Sequence, residues 1–320
     1  MFTINQTYIN SVVKKALEED LKPHGDITTK LIQSKDKKIK AKIIAKQNGV
    51  IAGLDFCKAA FKLIGKETIF IKKVKDGSKV KRGKVIAEIK AKTKTILSAE
   101  RTGLNFLSHA SGIATLTNTF VSKTNKKTKI CCTRKTTPNL RLLEKYAVKK
   151  GGGFNHRYNL SDEILIKENH ISAEGNLKNL VKKAIKTRKS ITVEIENISQ
   201  LKQVLGLKFK RILFDNMNIQ TLQKCIKLCK NKYETEYSGN VNLKNIKKIS
   251  NTNVDRVSIG LLTHSADTFD LSLLFYWNLK NITNIRAHTI FGYIAFFNNV
   301  VIVCSVIYEV MSSVSIKSML

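Results

Sequence analysis

Proline is almost absent from this chain, since only two of its 320 residues are prolines. Aromatic residues make up only 7% of the chain, whereas hydrophobic residues as a whole reach 42%. So little proline and so large an apolar fraction exclude a collagen-like repeat and an intrinsically disordered protein. The length also excludes a disulfide-stabilised miniprotein, and it is sufficient for two domains with a sizeable core.

Cysteine is present six times but lacks the spacing of a disulfide framework or of a zinc site. No CxxC pair occurs, and no cluster of Cys and His has zinc-ligand spacing. We therefore expect buried free thiols in a reducing cytosol. Residues 1–6 contain no basic region followed by an apolar run, so we expect no signal peptide and a cytoplasmic protein. The cysteines are Cys57, Cys131, Cys132, Cys225, Cys229 and Cys304.

Acidic residues are scarce, because 24 Asp and Glu stand against 57 Lys and Arg, which gives a formal net charge of +33. Such a charge attracts polyanions, so a catalytically degenerate protein that binds RNA or a membrane surface is one alternative. However, only nine of the basic residues are arginines, and the lysines are spread along the chain with few aromatic residues between them. Nucleic-acid-binding proteins favour arginine for its planar fork, so we expect no specific nucleic acid partner.

The first 97 residues have the pattern of a mixed α+β domain. Helical spacing marks residues 11–20, and apolar residues alternate over 39–45 as in a half-buried strand. The turn dipeptides Asp76-Gly77 and Arg82-Gly83 lie between apolar runs, which predicts antiparallel strands in a sandwich-like arrangement. A helix is expected to follow, with Ser98 as its N-cap.

From residue 130 onwards, short apolar runs alternate with amphipathic helices. One helix is expected to have Pro138 in its first turn and to stop at Gly151. About six βα units favour parallel strands in an α/β barrel. A doubly wound sheet is the competing fold, but no GxGxxG motif follows the first strand. Further helices are expected over 174–189, 199–206, 219–230 and 242–250, and strands over 129–133, 164–167, 191–196, 211–215, 234–238 and 256–260.

Polar or small residues stand at the end of each expected strand. The carboxyl ends of barrel strands converge on one face, so we expect these residues to form one site. Guanidinium forks bind carboxylates, paired carboxylates indicate Mg²⁺ or a ribose hydroxyl, and small residues let backbone N–H groups approach an anion. The site is therefore expected to take an organic acid and a phosphorylated, metal-bound sugar. Its members are Arg134, Lys135, His156, Arg157, Lys167, Glu194, Asp215, Ser238, Gly239, Ile259, Gly260 and Leu261.

Several long motifs stand in order between residue 10 and residue 273: Gly25-Asp26-Ile27-Thr28-Thr29, Glu100-Arg101-Thr102-Gly103-Leu104-Asn105, Thr133-Arg134-Lys135-Thr136-Thr137-Pro138, Gly151-Gly152-Gly153-Phe154-Asn155-His156-Arg157, Ile166-Lys167-Glu168-Asn169-His170 and Leu261-Leu262-Thr263-His264-Ser265. Together they resemble the quinolinate phosphoribosyltransferase family. The resemblance implies the activity of a carboxylating nicotinate-nucleotide diphosphorylase, a pentosyltransferase of NAD biosynthesis. In this reaction quinolinate and phosphoribosyl pyrophosphate give nicotinate mononucleotide, carbon dioxide and pyrophosphate.

The resemblance also implies a cofactor, a partner and roles for individual residues. Mg²⁺ would be bound together with phosphoribosyl pyrophosphate, and the enzyme would be a homodimer, or a higher oligomer, with shared active sites. Arg101 would reach the quinolinate of a neighbouring subunit. In the same subunit, Arg134, His156 and Arg157 would hold the two carboxylates. The remaining substrate contacts would come from Thr133, Lys135 and Lys167 toward phosphoribosyl pyrophosphate, Glu194 and Asp215 toward its ribose and Mg²⁺, and Ser238, Gly239, Asn240, Ile259, Gly260, Leu261 and His264 toward its 5′-phosphate.

Two positions depart from the family pattern. Cys132 stands where the family commonly has Asp, and Asn240 stands where it has Gly. An Asn can adopt a left-handed conformation, so we expect the phosphate loop to keep its shape. A relative associated with molybdenum transport has the same fold and is an alternative. The complete set of Arg134, His156 and Arg157 disfavours it.

The resemblance divides the chain into three parts: an N-terminal domain over 1–105, a barrel domain over 106–273 and a divergent tail over 274–320. Residues 289–308 of the tail form a run of twenty residues without a charge. A membrane-spanning or interfacial helix is therefore an alternative for this segment. We disfavour it because Asn298-Asn299 lies at the centre of the run and a soluble enzyme precedes it.

Overall fold

The computed structural model describes residues 4–31 and 37–276. Their helices are α1 (Gln6–Leu21), α2 (Ile27–Lys30), α3 (Leu54–Ile64), α4 (Thr93–Lys123), α5 (Arg141–Lys150), α6 (Glu168–Glu174), α7 (Leu177–Ile185), α8 (Ile198–Val204), α9 (Ile219–Cys229), α10 (Ile246–Ser250) and α11 (Leu261–His264). Their strands are β1 (Lys38–Ala45), β2 (Gly49–Val50), β3 (Ile69–Lys72), β4 (Lys79–Val80), β5 (Val85–Lys92), β6 (Lys129–Cys131), β7 (Ile164–Ile166), β8 (Ile191–Ile195), β9 (Arg211–Asp215), β10 (Glu234–Ser238), β11 (Arg256–Ser258) and β12 (Leu271–Phe275).

Three strands of the N-terminal region and the late strand β12 form a four-stranded antiparallel sheet with the order β12-β1-β5-β3. On β1, Ala41, Ile43 and Ala45 alternate with more exposed residues and are fully buried, as expected for a half-buried strand. The helices α3 and α4 contribute Phe61 and Leu107 to the same apolar cluster. The predicted antiparallel pairing of the runs around 69–74 and 85–89 is confirmed, although β4 between them pairs with β2.

The 31-residue helix α4 joins this sheet to the parallel one. It begins directly after β5, so the prediction that Ser98 is its N-cap is wrong. Ile96 and Ala99 are fully buried in the first turns, and this packing extends the helix without any side-chain cap. Ser98 Oγ instead donates to Asp26 Oδ2 at 3.2 Å. The predicted domain boundary between 105 and 106 falls inside α4 and stays a prediction.

Six parallel strands form the second large sheet, in the order β6-β11-β10-β9-β8-β7. Each strand is followed by a helix, so the predicted series of six βα units is confirmed. A parallel bridge between Cys131 and Phe154 lies beside β6, at one end of this order. Because all six strands point in one direction, their carboxyl ends lie together at the same end of the sheet.

Other predicted helices also differ from those observed, and the one expected over 242–250 begins only at Ile246. The helix expected over 174–189 is observed as the shorter α7, because Gly175 is left-handed and Asn176 caps the new helix by accepting from the N–H of Asn179. The helix α6, which ends just before Gly175, was not predicted. Pro138 lies before α5 and not in its first turn. The carboxylate of Glu144 accepts from the backbone N–H of Thr137, which holds the preceding segment in a turn.

Five of the six cysteines lie among the described residues, and all five are buried and free, as predicted. Cys304 and the uncharged run over 289–308 lie outside these residues. Within residues 4–31 and 37–276, none of the helices combines the length and the hydropathy that crossing a membrane requires.

Candidate active site

A cavity of about 710 Å³ lies at the carboxyl ends of the six parallel strands. Fifteen of the sixteen residues predicted to form the site line it, and Arg101 is the exception. The convergence expected from the ends of the strands is therefore observed. The lining members of the predicted set are Thr133, Arg134, Lys135, His156, Arg157, Lys167, Glu194, Asp215, Ser238, Gly239, Asn240, Ile259, Gly260, Leu261 and His264.

Two arginines of the cavity have incompletely used guanidinium groups. Nε of Arg134 is buried and has no hydrogen-bond partner among the described residues. Nη1 of Arg157 donates to the backbone carbonyl of Glu163 at 2.9 Å. Burial lowers the pKa of Arg157 below its usual range, and the positive charge of Arg134 lowers it further. The two cations thus repel one another, and an anion between them would relieve both the repulsion and the unmet hydrogen bond.

His156 has a defined tautomer because of its neighbours. Its Nδ1 accepts from the backbone N–H of Arg157 at 2.8 Å, and its Nε2 lies 3.5 Å from Glu236 Oε1. Burial lowers the pKa of His156, although the charges of Glu236 and Glu163 oppose that effect. Because Nδ1 accepts a hydrogen bond, the ring proton lies on Nε2, which is buried and has no hydrogen-bond partner among the described residues. In this arrangement the ring holds the backbone of Arg157, and its predicted contact with a substrate carboxylate stays a prediction.

The two predicted acidic residues lie on neighbouring strands. Lys167 Nζ donates to Glu194 Oε2 at 2.7 Å, and Asp215 Oδ2 accepts from Asn216 Nδ2 at 2.8 Å. Burial raises the pKa of Glu194, and the hydrogen bond from Lys167 partly offsets this. This side of the cavity therefore presents carboxylate oxygens next to a lysine that can bind a phosphate.

The segment after β10 turns sharply through two left-handed residues, with φ of 108° at Gly239 and 47° at Asn240. The expectation that Asn240 adopts this conformation is confirmed. A Cβ atom at Gly239 would collide with the side chain of Asn216, so only glycine fits there. Sequence reasoning missed Asn216, which lines the cavity and accepts from Asn240 Nδ2 at 3.2 Å. Its position directly after Asp215 was the available signal.

Arg101 is exposed on α4 and lines a separate cavity of about 380 Å³ together with Glu19, Asp20 and His109. His109 is fixed there by a hydrogen bond of 2.9 Å between its Nε2 and Glu144 Oε1. Within one chain, Arg101 thus lies outside the cavity at the strand ends. Its predicted role in a neighbouring subunit's site stays a prediction.

A layer of buried charges lies among the strands of the parallel sheet and was not predicted. Nε of Arg211 lies 2.8 Å from Glu234 Oε2 and 3.4 Å from Glu236 Oε2, while its Nη1 lies 3.1 Å from Glu163 Oε1. Arg256 contacts Glu234 and Glu236 at 3.6 and 3.3 Å. In the sequence these residues alternate with apolar ones on short strands, and that pattern alone does not reveal that they meet.

Comparisons with known proteins decide between the alternatives. Residues 26–111 match the N-terminal domain, and residues 113–274 the C-terminal domain, of the quinolinate phosphoribosyl transferase family models. The chain belongs to the quinolinate phosphoribosyltransferase family. The family resemblance stated from the motifs is thereby confirmed. It is favoured over the relative associated with molybdenum transport and over a catalytically degenerate binding protein.

Relatives of this family resemble the chain over most of their own length. A probable nicotinate-nucleotide pyrophosphorylase [carboxylating] from Bacillus subtilis is 40% identical over 253 residues, covering 78% of this chain and 87% of the relative. A quinolinate phosphoribosyltransferase [decarboxylating] from Nicotiana tabacum is 36% identical over 286 residues, covering 83% and 81%. The crystal structure of NadC from Streptococcus pyogenes superposes with a TM-score of 0.82 at 36% identity, covering 87% of this chain and all of that one.

Proposed function

We propose that this member of the family transfers the phosphoribosyl group of phosphoribosyl pyrophosphate to quinolinate and releases carbon dioxide and pyrophosphate. The product is nicotinate mononucleotide. One observation carries the proposal: two arginine forks with unused donors share a cavity with a lysine–carboxylate pair and a left-handed loop. The names of the relatives support the same reaction.

Quinolinate binds at the cationic side of the cavity. Guanidinium groups bind carboxylates through paired hydrogen bonds, and a dicarboxylate suits two guanidinium groups better than a monocarboxylate does. Arg134 and Arg157 are the two arginines of this cavity, and neither forms an ion pair with a carboxylate among the described residues, although the charges of Glu163 and Asp162 attract Arg157 from farther away. His156 supports this arrangement through the backbone of Arg157.

Phosphoribosyl pyrophosphate binds along the opposite side of the cavity. The loop over 238–240 and the turn over 259–261 receive the 5′-phosphate, with His264 close by, while Lys135 and Lys167 face the pyrophosphate. Thr133 lies on the same rim, where its Oγ1 accepts from the backbone N–H of Lys135 at 3.1 Å.

Mg²⁺ fits this site as a companion of the phosphates. Among the described residues no group of three or more His, Cys, Asp or Glu side chains could hold a metal alone. Glu194 and Asp215 supply two carboxylates, and Mg²⁺ in phosphate sites characteristically takes one or two carboxylates plus substrate phosphates. When bound, the ion neutralises the charge that develops on the departing pyrophosphate.

The residues of the cavity match the charges of the reaction. Pyrophosphate leaves C1 of the ribose through an oxocarbenium-like state, which nearby carboxylates stabilise while Lys135 and Lys167 neutralise the leaving phosphates. The ring nitrogen of the new nucleotide is positive and withdraws electrons from C2. The bond between C2 and its carboxylate then breaks, carbon dioxide departs, and the electron pair left on C2 takes up a proton from water. No nucleophilic side chain is required.

We further propose a cytoplasmic enzyme. Its complete site contains Arg101 from a second copy of the chain, so it works as a homodimer or a higher oligomer. Two features support this part of the proposal. Arg101 is exposed at a second cavity of its own chain, and it is one of only nine arginines in a chain that otherwise uses lysine. A fork at that position matches a carboxylate ligand better than a solvated surface does.

Incubation of the purified protein with quinolinate, phosphoribosyl pyrophosphate and Mg²⁺ tests the reaction. We expect nicotinate mononucleotide, with one carbon dioxide released for each product molecule, and no product when quinolinate is replaced by buffer. Folded wild-type protein that forms no nicotinate mononucleotide would contradict the proposal. RNA binding that weakens with salt would not support the alternative, because a charge of +33 produces such binding by itself.

A further inference from the structure

Lys145 has no part in the reaction proposed above, yet its side chain is almost completely buried. It lies on α5 with a relative exposure of 1%, among the largest fully buried side chains. Lysine is rarely buried without a partner, because an unpaired ammonium costs several kcal/mol when it is removed from water. The groups around its Nζ atom therefore identify its role.

Two groups accept hydrogen bonds from Lys145 Nζ. The Sγ of Cys132 lies at 3.2 Å and the backbone carbonyl oxygen of His156 at 3.1 Å. No carboxylate in the described part of the chain forms an ion pair with Lys145. Its neighbour Glu144 directs its carboxylate to His109 and to the N–H of Thr137. Of the two acceptors at Lys145, only the sulfur can become an anion.

The surroundings of Cys132 accommodate that anion. Its side chain is fully buried, and its Sγ, as a thiol, donates to Oδ1 of Asn155 at 3.4 Å. An Asn amide occupies the same space with its oxygen toward a thiol or with its NH₂ group toward a thiolate. A half-turn of this amide would therefore supply a second donor to the sulfur.

We propose that Cys132 and Lys145 form a buried thiolate–ammonium pair that positions the two arginines of the carboxylate site. Cys132 is two residues before Arg134, and the carbonyl that Lys145 holds belongs to His156, directly before Arg157. The ammonium group of Lys145 thus contacts both of the segments that carry the two arginines. The thiolate replaces the Asp that is common at position 132 in the family. The identity of the ligand rests on the proposed function, whereas the charge of the pair does not.

The adjacent Cys131 is a matched control. It is also fully buried, but its Sγ donates to the backbone carbonyl of Lys129 at 3.5 Å, and no hydrogen bond joins it to a lysine side chain in the described structure. Burial raises the pKa of the Cys131 thiol, and it raises the pKa values of Cys57, Cys225 and Cys229 as well. These four groups therefore stay protonated at pH 7.

The ultraviolet absorbance band of a thiolate tests the charge of the pair independently of any activity. At pH 7 we expect the spectrum of the wild type to exceed that of Cys132→Asp by one thiolate equivalent. Lys145→Met should lose the same band, and Cys131→Ser should keep it. Cys304 contributes equally to each of these spectra. An identical absorbance in the wild type and Cys132→Asp would show a neutral thiol and overturn the proposal.

Steady-state kinetics test the positioning role. Cys132→Ser keeps the size of the side chain but not its charge, so the KM for quinolinate should rise about tenfold, as expected for one lost charged hydrogen bond. The KM for phosphoribosyl pyrophosphate should change less than about twofold, and Cys132→Asp should restore the KM for quinolinate to within about threefold. If Cys132→Ser folds and keeps the wild-type KM, or if Cys132→Asp fails to restore it, the pair does not position the arginines. A wild type without any activity would refute the proposed function, and the absorbance measurement would still decide the charge of the pair.

Discussion

Two pairs of arginines lie in the barrel region and differ in how far their donors are used. Arg211 and Arg256, among the strands, are surrounded by three glutamates, Glu163, Glu234 and Glu236. Arg134 and Arg157, at the cavity, form no direct ion pair with a carboxylate among the residues described. The same side chain therefore completes a structural network in one place and leaves donors for a ligand in the other.

This difference explains how one barrel meets two requirements. A buried charge that has all its partners stabilises the fold, whereas breaking such a pair leaves an uncompensated charge. A buried donor without a partner destabilises the empty protein and makes a ligand that supplies the acceptor bind more tightly. The unpaired guanidinium groups thus mark the ligand site better than the positive charge does, since lysines are spread over the whole chain.

The largest effect on stability should come from the saturated pair. Arg256→Met removes one of the two arginines that contact the buried Glu236 and should lower the free energy of unfolding by about 3 kcal/mol. Arg134→Met is the matched control, because it removes a donor that has no partner, and it should change stability by less than about 1 kcal/mol. Denaturant unfolding of both variants measures this. Equal losses of unfolding free energy in the two variants would show that Arg256 and Arg134 contribute to stability in the same way.

The cavity arginines should show the reverse behaviour in binding. Arg134→Lys or Arg157→Lys keeps the charge but loses the planar fork, which costs about 1.5–3 kcal/mol for each charged hydrogen bond lost. The KM for quinolinate should therefore rise about 10- to 150-fold in either variant, with little change in thermal stability. Wild-type kinetics in both variants would show that these residues do not hold the substrate.

Arg101 extends the comparison to a third environment, an exposed one that a second chain would complete. Arg101→Ala and Lys135→Ala proteins should each be nearly inactive alone. After dissociation and mixing, half of the dimers are mixed, and half of the sites in those are intact, so activity should return to up to about a quarter of the wild type.

The control for this mixing experiment is each variant dissociated and reassociated with itself, which should recover nothing. If differently tagged subunits are shown to form heterodimers and activity stays absent, Arg101 acts within its own subunit or has no role in the reaction.

Acid should affect the saturated layer by a smaller amount. Burial raises the pKa of Glu234, but the hydrogen bond and charge of Arg211 outweigh it and hold the pKa below its ordinary value, and Glu163 behaves likewise through Thr192 and Arg211. A carboxylate with a lowered folded-state pKa stabilises the fold above its unfolded pKa of about 4.3, and this contribution is lost as the pH falls through the folded value. The thermal unfolding midpoint should therefore decrease as the pH is lowered below about 4.3. In Arg211→Met this decrease should be less steep.

The sequence predicts the site better than it predicts what lies beneath it. Residues at strand ends, such as Lys167 and Asp215, come together because parallel strands leave no other arrangement. The partners of Arg256 depend on the register between strands, and those of Lys145 depend on how α5 is rotated about its axis. Neither can be read from the residues next to them in the sequence. The start of α4 was mispredicted for a similar reason, since packing of Ile96 and Ala99 outweighed the capping signal at Ser98.

The account rests on one claim: the guanidinium groups of Arg134 and Arg157, which form no direct ion pair with a carboxylate among the described residues, bind a dicarboxylate. Calorimetric titration of the wild type with quinolinate and with nicotinate, which lacks the second carboxylate, tests it directly. Quinolinate should bind at least about tenfold more tightly, equivalent to one charged hydrogen bond, and Arg134→Lys should remove that advantage. Equal affinity for the two ligands in the wild type would contradict the assignment of the two arginines to two carboxylates.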